Sequence, residues 1–168
     1  MISLGLDSGS SMTKAVLLED MKIIDTKMIP TSISPRKSLE ALYREIKKQH
    51  KEIDVIVTTG YGRNLLDQAD FKITEITCHA AGAFFMNPDC DTIIDIGGQD
   101  SKVITIDDLG CVESICQRTA AFAQKLAPAN PKVFFSGGLA QFDVIKRSLA
   151  SHLGVKEVAT DPLCQYTG

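Results

Sequence analysis

The 168-residue sequence lacks the marks of several common protein classes. It has no apolar run of the ~20 residues needed to cross a bilayer, and residues 1–5 lack the basic start of a signal peptide. No Cys-x-x-Cys pair occurs among the five cysteines, whose odd number and irregular spacing fit a reducing compartment. A net charge of -3 offers no cationic surface for nucleic acid. We therefore expect a cytoplasmic protein without a membrane or nucleic-acid partner.

Two widespread nucleotide-binding signatures are also missing. Neither the GxxxxGK[ST] loop nor the GxGxxG fingerprint occurs, so a P-loop and a Rossmann dinucleotide site are not expected. Hydrophobic residues make up 44% and charged residues 23% of the chain, which is ordinary for a globular protein.

One short phrase, Asp-x-Gly-x-x-x-x-Lys, occurs twice in the same register. The first copy runs from Asp7 to Lys14 and the second from Asp95 to Lys102. An apolar, strand-like segment precedes each copy and another follows it. A duplicated strand–turn–strand unit with an acid at the strand end predicts two related half-domains that face a shared cleft, with nucleotide as the first ligand to consider.

The first copy has the chemistry of a phosphate-binding turn. Gly9 allows the backbone to approach a ligand closely, and the turn exposes backbone N–H groups beside the hydroxyls of Ser10 and Ser11. Lys14 can reach a terminal phosphate, whereas Asp7 would repel phosphate and is better suited to hold Mg²⁺ through water. The alternative is a plain hairpin turn in which the aspartate caps the strand end.

The second copy adds two polar residues, Gln99 and Asp100. Either can orient or deprotonate a water that attacks a γ-phosphate, a contribution of about 10²–10⁴ in rate. Asp95 is the natural second carboxylate on the Mg²⁺ side, and the alternative for Asp100 is a turn cap.

A third motif lies at residues 136–138, where a predicted strand meets a helix. The segment Ser136-Gly137-Gly138 can let an adenosine lie flat against bare backbone, with the helix N-terminus near its phosphates. A plain strand–helix turn is an equally good interpretation of this motif alone.

Alternating strand and helix patterns predict an α/β fold in which the second half repeats the first. The predicted boundary is Asn87-Pro88-Asp89, which gives lobes of residues 1–88 and 89–168. The predicted strands are residues 2–7, 14–19, 22–29, 54–59, 72–74, 92–96, 102–107, 111–115, 132–136 and 155–160. The predicted helices are residues 35–51, with Ser34 as the N-cap and Pro35 as the first helical residue, 76–86 and 117–127, with shorter ones through residues 65–66 and 142–149.

The cysteines and a neighbouring histidine are interpreted as structural. Cys78 and His79 are adjacent, so on a helix they point apart and cannot form a metal pair. Cys111 and Cys116 flank a predicted strand, and we expect buried thiols there rather than ligands.

The motifs resemble one known family. Residues 59–63, 76–80 and 94–102 are similar to the activators of 2-hydroxyacyl-CoA dehydratases and the ATPase subunits of benzoyl-CoA reductases, the BadF/BadG/BcrA/BcrD type. That family lies within the actin, sugar-kinase and heat-shock ATPase superfamily. The resemblance implies two ribonuclease-H-like lobes (duplicated βββαβαβ units) with a nucleotide cleft between them.

The resemblance also implies an activity. Members of the family are homodimers that hydrolyse ATP to ADP with Mg²⁺ and activate a CoA-ester dehydratase or reductase. Carried over by position, their nucleotide contacts fall on Asp7, Gly9, Ser10, Ser11, Lys14, Gly97, Gly98, Gln99, Gly137 and Gly138.

One departure from the family concerns its 4Fe–4S cluster, which bridges two subunits with two cysteines from each. The segment that supplies these cysteines, with its Cys-Ala-Ala-Gly-Thr-Gly phrase, is missing between Ile115 and Cys116. This puts the cluster, and electron transfer with it, in doubt for this chain.

Three functions remain open from the sequence. The leading one is an ATP-hydrolysing activator (activase) of a CoA-ester dehydratase or reductase. The alternatives are a truncated, non-enzymatic nucleotide-binding paralogue and a small-molecule kinase of the same fold.

Overall fold

The computed structural model describes residues 1–96, 101–116 and 131–167, without the side chains of Cys116 and His152. Its contacts divide the chain into two compact units, Met1–Glu75 and Ile76–Gly168. Each unit has its own sheet and its own hydrophobic core.

The first unit is a five-stranded sheet packed against one helix. Strands β1, β2 and β3 form an antiparallel meander, and β4 and then β5 continue the sheet in parallel with β1. The sheet order is therefore β3-β2-β1-β4-β5. The bounds are β1 Ile2–Ser8, β2 Met12–Glu19, β3 Lys22–Pro30, α1 Pro35–Gln49, β4 Val55–Gly60 and β5 Phe71–Lys72.

Alternation along the strands builds the core of this unit. Leu4 and Leu6 of β1 are fully buried and pack with the face of α1 that carries Leu39, Leu42 and Ile46. Helix α1 begins at Pro35 as predicted, because proline at the first helical position loses no hydrogen bond. The predicted cap residue Ser34 occupies the capping position but makes no side-chain capping bond.

The second unit repeats the strand arrangement of the first. Its four strands have the order β8-β7-β6-β9, which matches β3-β2-β1-β4, again with three antiparallel strands and one parallel neighbour. The bounds are α2 Glu75–Met86, β6 Thr92–Ile96, β7 Ser101–Ile106, β8 Val112–Cys116, β9 Val133–Ser136 and α3 Asp143–Leu153, with 3₁₀ turns at Gly138–Gln141 and Cys164–Tyr166. The predicted α/β fold with a duplicated unit is confirmed.

Helix α2 packs with the second unit. Ala80 and Ala83 of α2 are buried in the same cluster as Ile93, Phe134 and Leu149. The contact division therefore differs from the lobes predicted over residues 1–88 and 89–168, because sequence order placed this helix with the strands before it. The two-lobe division itself stays a prediction.

Two short elements differ from their predictions. Residues around Leu65 form turns instead of a helix, with the Leu65 N–H donating to the Gly62 carbonyl. The predicted strand 155–160 is reduced to one bridge between Phe134 and Ala159. The predicted helix 117–127 lies outside the described residues.

None of the helices in the described part of the chain has both the length and the apolarity to cross a membrane.

Candidate functional site

The first candidate site forms at the carboxyl end of β1. Asp7 pairs in register with Lys14 across the antiparallel β1–β2 ladder, and Lys14 Nζ lies 3.3 Å from Asp7 Oδ2. Asp7 is 7% exposed, so its carboxylate is held close beneath the surface of the unit. The pair places one negative and one positive group at the base of the β1–β2 turn.

Gly60, at the end of the parallel strand β4, lies against this aspartate. Its φ is +80°, and a Cβ there would lie 2.5 Å from Asp7 Oδ1. Only glycine satisfies both conditions at that position. The backbone of β4 therefore packs directly on the carboxylate.

The β1–β2 turn is held from outside by Thr31, the residue after β3. The Thr31 hydroxyl donates to the Gly9 carbonyl at 2.8 Å and also contacts the Thr13 hydroxyl at 2.9 Å. The Thr31 N–H donates to the Ser11 carbonyl at 2.9 Å. These bonds fix the turn while Ser10 and Ser11 stay exposed, which is the arrangement a phosphate-binding turn requires.

The second unit reproduces the site at the end of β6. Asp95 pairs in register with Lys102, and Lys102 Nζ lies 3.7 Å from Asp95 Oδ2. Gly137 follows the parallel strand β9 with φ +90°, and a Cβ there would lie 3.0 Å from Asp95 Oδ1. Each unit thus has an aspartate at a strand end, a lysine opposite it and a positive-φ glycine against one carboxylate oxygen.

Four predicted residues of the second turn, Gly97, Gly98, Gln99 and Asp100, lie outside the described residues. The prediction that Asp7 and Asp95 face one groove concerns the arrangement of the two units and stays a prediction.

The glycine turn after β9 differs from its prediction in one respect. Strand β9 ends at Ser136 as predicted, but Gly138 begins a 3₁₀ turn and α3 begins only at Asp143. The turn therefore does not open directly into an α-helix. A Cβ built on Gly138 meets no atom within 4 Å among the described residues, so this side of the turn is open.

Sequence reasoning missed two buried hydroxyls beside Asp7. Thr59 pairs in register with Asp7 on the parallel strand, and Ser8 follows Asp7 directly. Both residues are under 5% exposed, and neither hydroxyl has a hydrogen-bond partner among the described residues. A buried hydroxyl without a partner is costly, so Thr59, opposite Asp7 in the ladder, is a candidate for contact with a ligand or its water, whereas the Ser8 side chain points to the other face, toward Gly62.

His79 was predicted to be a core residue, and it is buried in the second unit. Its neighbours, however, are polar: the Nε2 atom lies 2.7 Å from Ser136 Oγ, 2.8 Å from Thr167 Oγ1 and 3.6 Å from Asp95 Oδ1. No local sequence pattern could have indicated these polar partners of His79, because they are distant along the chain.

The cysteines whose side chains the structure describes have different surroundings. Cys90 and Cys164 are buried, and Cys78 is half-buried. Burial, with a smaller contribution from Asp91, raises the pKa of the Cys90 thiol to about 11. Cys111 is exposed, so the prediction of a buried thiol there is wrong: Cys111 lies at the β7–β8 hairpin end, where the chain turns through solvent. The side chain of Cys116 is outside the described atoms.

Comparison with known proteins identifies the family. The model of the BadF/BadG/BcrA/BcrD ATPase family matches residues 4–112, more than half of the chain. The chain belongs to this family. The match covers the whole first unit from Leu4 onward and the second unit through β7.

Named relatives agree with the family model. The chain is 41% identical over 117 residues to the activator of lactoyl-CoA dehydratase from Anaerotignum propionicum, a match of 67% of this chain and 45% of that protein. It is 42% identical over 114 residues to the 2-hydroxyisocaproyl-CoA dehydratase activator of Clostridioides difficile, covering 66% and 43%. The chain therefore spans less than half the length of the curated relatives it matches.

Structural comparison shows the same fold. The solved activator of 2-hydroxyisocaproyl-CoA dehydratase from Clostridium difficile, with bound ADPNP, aligns with a TM-score of 0.79 at 23% identity. The alignment covers 99% of this chain and 91% of that chain.

Proposed function

We propose that this chain binds ATP with Mg²⁺ and hydrolyses it to ADP and phosphate, as an activator of a CoA-ester dehydratase or reductase in the cytoplasm. The observation that carries the proposal is the repeated arrangement of aspartate, lysine and positive-φ glycine at a strand end of each unit. Membership of an ATPase family supports the same conclusion.

The β1–β2 turn is the first phosphate contact. Gly9, Ser10 and Ser11 present backbone N–H groups and hydroxyls, and Thr31 holds the turn in place. Lys14 contributes positive charge at the base of the turn. Gly97 and Gly98 have the corresponding place in the second copy of the phrase.

The residues at both strand ends suit a magnesium ion. Asp7 and Asp95 offer carboxylate oxygens, and Thr59 adds a buried hydroxyl whose oxygen has no partner among the described residues. Mg²⁺ prefers such oxygen ligands and keeps several waters. Asp7 and Asp95 would hold the ion through water, and the ion would neutralise negative charge on the phosphate oxygens.

The chemical step is attack of water on the γ-phosphorus. A bond forms between the water oxygen and phosphorus, the bond to the ADP oxygen breaks, and the water loses a proton. We assign Gln99 and Asp100 to orienting and deprotonating this water, a contribution of about 10²–10⁴ in rate. The adenosine lies against Gly137 and Gly138, since no atom of the described residues lies within 4 Å of a Cβ on Gly138, and the fully buried Ser136 supports this turn from beneath.

The partner is inferred from the relatives. Several are named as activators of CoA-ester dehydratases, and one as a benzoyl-CoA reductase subunit. ATP and ADP would bind with different affinities to two states of the chain, or of a homodimer, and full switching needs about 5.5 kcal/mol of differential binding. We include no iron–sulfur step, because the segment that supplies the cluster cysteines in the family is missing between Ile115 and Cys116.

Isothermal titration of the folded protein with ATP and Mg²⁺ tests the binding step. We expect saturable heat for wild type and at least about tenfold weaker binding for Asp7→Asn. Asp67→Asn is the matched control, since Asp67 is an exposed residue of the same unit whose carboxylate pairs with Arg36 at 3.4 Å. Absence of heat at high micromolar ATP would reject the proposal.

Two further assays separate hydrolysis and activation from binding. Phosphate release without any acceptor would show an ATPase, and Asp100→Asn should lower that release while leaving ATP affinity within about threefold. A purified 2-hydroxyacyl-CoA dehydratase should bind the chain with an affinity that differs between ATP and ADP. Equal affinity for the dehydratase with ATP bound and with ADP bound would contradict the activator assignment.

A further inference from the structure

Four polar side chains from distant segments meet inside the second unit. His79 comes from α2, Asp95 from the end of β6, Ser136 from the end of β9 and Thr167 from the turn after the last 3₁₀ segment. None of the four is more than 6% exposed. We call this set the His79 network.

The hydrogen-bond distances define which ring nitrogen of His79 carries the hydrogen. Thr167 Oγ1 donates to the Cys164 carbonyl at 3.1 Å, and Ser136 Oγ donates to Asp95 Oδ1 at 3.5 Å. Each hydroxyl has one hydrogen, so with these two bonds made both oxygens accept from a single Nε2–H shared between them, at 2.7 Å for Ser136 and 2.8 Å for Thr167. A lone pair on Nε2 would also face Asp95 Oδ1 at 3.6 Å without a hydrogen between them. The network therefore assigns the hydrogen to Nε2.

Through Ser136, the network fixes one oxygen of Asp95. Ser136 holds Oδ1, and Lys102 lies on the side of Oδ2 at 3.7 Å. A carboxylate held at both oxygens cannot rotate freely. The orientation of Asp95 is thus set by a chain of contacts that begins at His79.

Through Thr167, the network also reaches the glycine turn. The Cys164 carbonyl that accepts from Thr167 also accepts from the Gly137 N–H at 3.4 Å. The same segment docks on α2 at Gly82, where any Cβ would overlap the Thr167 carbonyl. His79 therefore connects to both parts of the second site from the buried side, to Asp95 through Ser136 and to Gly137 through Thr167.

We propose that His79 is a positioning residue that orients Asp95 and the Ser136–Gly137 turn for Mg²⁺·ATP. The proposal rests on the proposed nucleotide function but concerns a residue to which that function assigns no role. His79 acts through Ser136 and Thr167 and does not itself touch the nucleotide. A residue that served only to fill the core would not need an Nε2 donor aimed at two hydroxyls.

The test compares His79→Gln with His79→Leu in the full chain. Gln places an amide N–H₂ at about the position of Nε2 and can donate to both hydroxyls, whereas Leu fills similar space without a donor. His50→Gln is the matched control, because His50 pairs with Asp25 in the first unit at 3.0 Å. ATP affinity is titrated against Mg²⁺ concentration and repeated in EDTA, with circular dichroism and thermal unfolding to confirm folding.

We expect His79→Leu to raise the Mg²⁺ concentration for half-maximal ATP binding by roughly tenfold, the equivalent of one lost buried hydrogen bond. Affinity in EDTA should fall by a smaller factor, because only the contact of the glycine turn with the nucleotide then depends on His79, and His79→Gln should restore most of the Mg²⁺ response. A folded His79→Leu with wild-type Mg²⁺ dependence overturns the proposal. Equal impairment of the Gln and Leu variants overturns it too, since it would indicate packing alone. If His79→Leu fails to fold, Thr167→Val against Thr167→Ser makes the same comparison.

A second measurement separates this proposal from the proposed function. Nitrogen-15 spectra of the histidine rings report which nitrogen carries the hydrogen, and they need no nucleotide. Wild type should show His79 with hydrogen on Nε2, and Ser136→Ala should shift those ring signals whereas Ser114→Ala, at the Thr105 pair of the same unit, should not. If wild type binds no ATP, the proposed function fails. A hydrogen on Nδ1, or no shift with Ser136→Ala, overturns the His79 network itself.

Discussion

Gly60 lies directly against Asp7, and a Cβ at Gly60 would be 2.5 Å from the Asp7 Oδ1 atom. The glycine also has φ +80°, so a side chain there meets both backbone strain and a steric overlap. Alanine at Gly60 would suffer both the backbone strain and the overlap, whereas alanine at a positive-φ glycine with open surroundings would suffer the strain alone.

Gly60→Ala should cost at least about 2 kcal/mol of unfolding free energy and weaken Mg²⁺·ATP binding by displacing Asp7. Gly154→Ala provides the control, because Gly154 has φ +70° but no atom lies within 4 Å of its Cβ position among the described residues. It should cost only about 1 kcal/mol and leave binding unchanged. Urea unfolding and titration calorimetry measure both quantities, and equal costs for the two variants would contradict the contact with Asp7.

Gly138→Ala should fold with wild-type stability and bind ATP more weakly. The Cβ enters open space, so the folded chain meets no new contact among its described residues, whereas an adenosine lying on this turn would be displaced. Inorganic triphosphate, which has no adenosine, should bind wild type and the variant alike. Unchanged ATP affinity in a folded Gly138→Ala would argue against the adenosine assignment.

Two adjacent threonines give a matched test of the first site. The Thr58 hydroxyl donates to the Arg63 carbonyl at 2.8 Å, so Thr58→Val should cost about 1–2 kcal/mol of stability. The Thr59 hydroxyl has no partner among the described residues, so Thr59→Val should change stability by less than about 0.5 kcal/mol. Thr59→Val should weaken Mg²⁺·ATP binding although its stability hardly changes, whereas Thr58→Val should lower stability and leave the binding of the folded protein unchanged. A stability loss for Thr59→Val as large as that for Thr58→Val would show that its hydroxyl is already paired in the fold.

Cys90 should make the protein lose stability at alkaline pH. Burial raises the pKa of this thiol from 9.0 to about 11, so the unfolded chain releases the proton first as the pH rises. The contribution is fully present below pH 9 and is lost between about pH 9 and 11, on the order of 1–2 kcal/mol. Denaturant unfolding at several pH values in this range gives the free energy of unfolding of each protein. Relative to its own value at pH 7, this free energy should fall less with pH for Cys90→Ala than for wild type. Parallel curves would contradict the shift.

Local patterns in the sequence predicted most of the strands because many of them are short apolar runs that end at glycine or a charged residue. The two aspartates and two lysines could be found because their spacing repeats and because antiparallel pairing over a tight turn puts them opposite each other. The glycines at 60 and 137 were visible in sequence, but their contact with the aspartates depends on parallel pairing with a strand more than forty residues away.

The features that were missed depend on distant contacts. His79 is 57 residues from Ser136 and 88 from Thr167, so no local pattern distinguishes it from an ordinary core histidine. The predicted strand 155–160 has the right composition but pairs with β9 at one residue only. Cys111 was predicted to be buried because it flanks a strand, although its place at a hairpin end exposes it.

Helix α2 precedes the strands with which it forms the core of the second unit, and this order determines where a fragment containing that unit has to start. A fragment that starts at residue 89 would lack Ala80 and Ala83 and would emerge with part of its hydrophobic interior uncovered. A fragment that starts at residue 75 carries the helix with it. During synthesis, therefore, the second unit already holds its first packing surface when β6 leaves the ribosome, and it does not need to recruit one from chain still to be made.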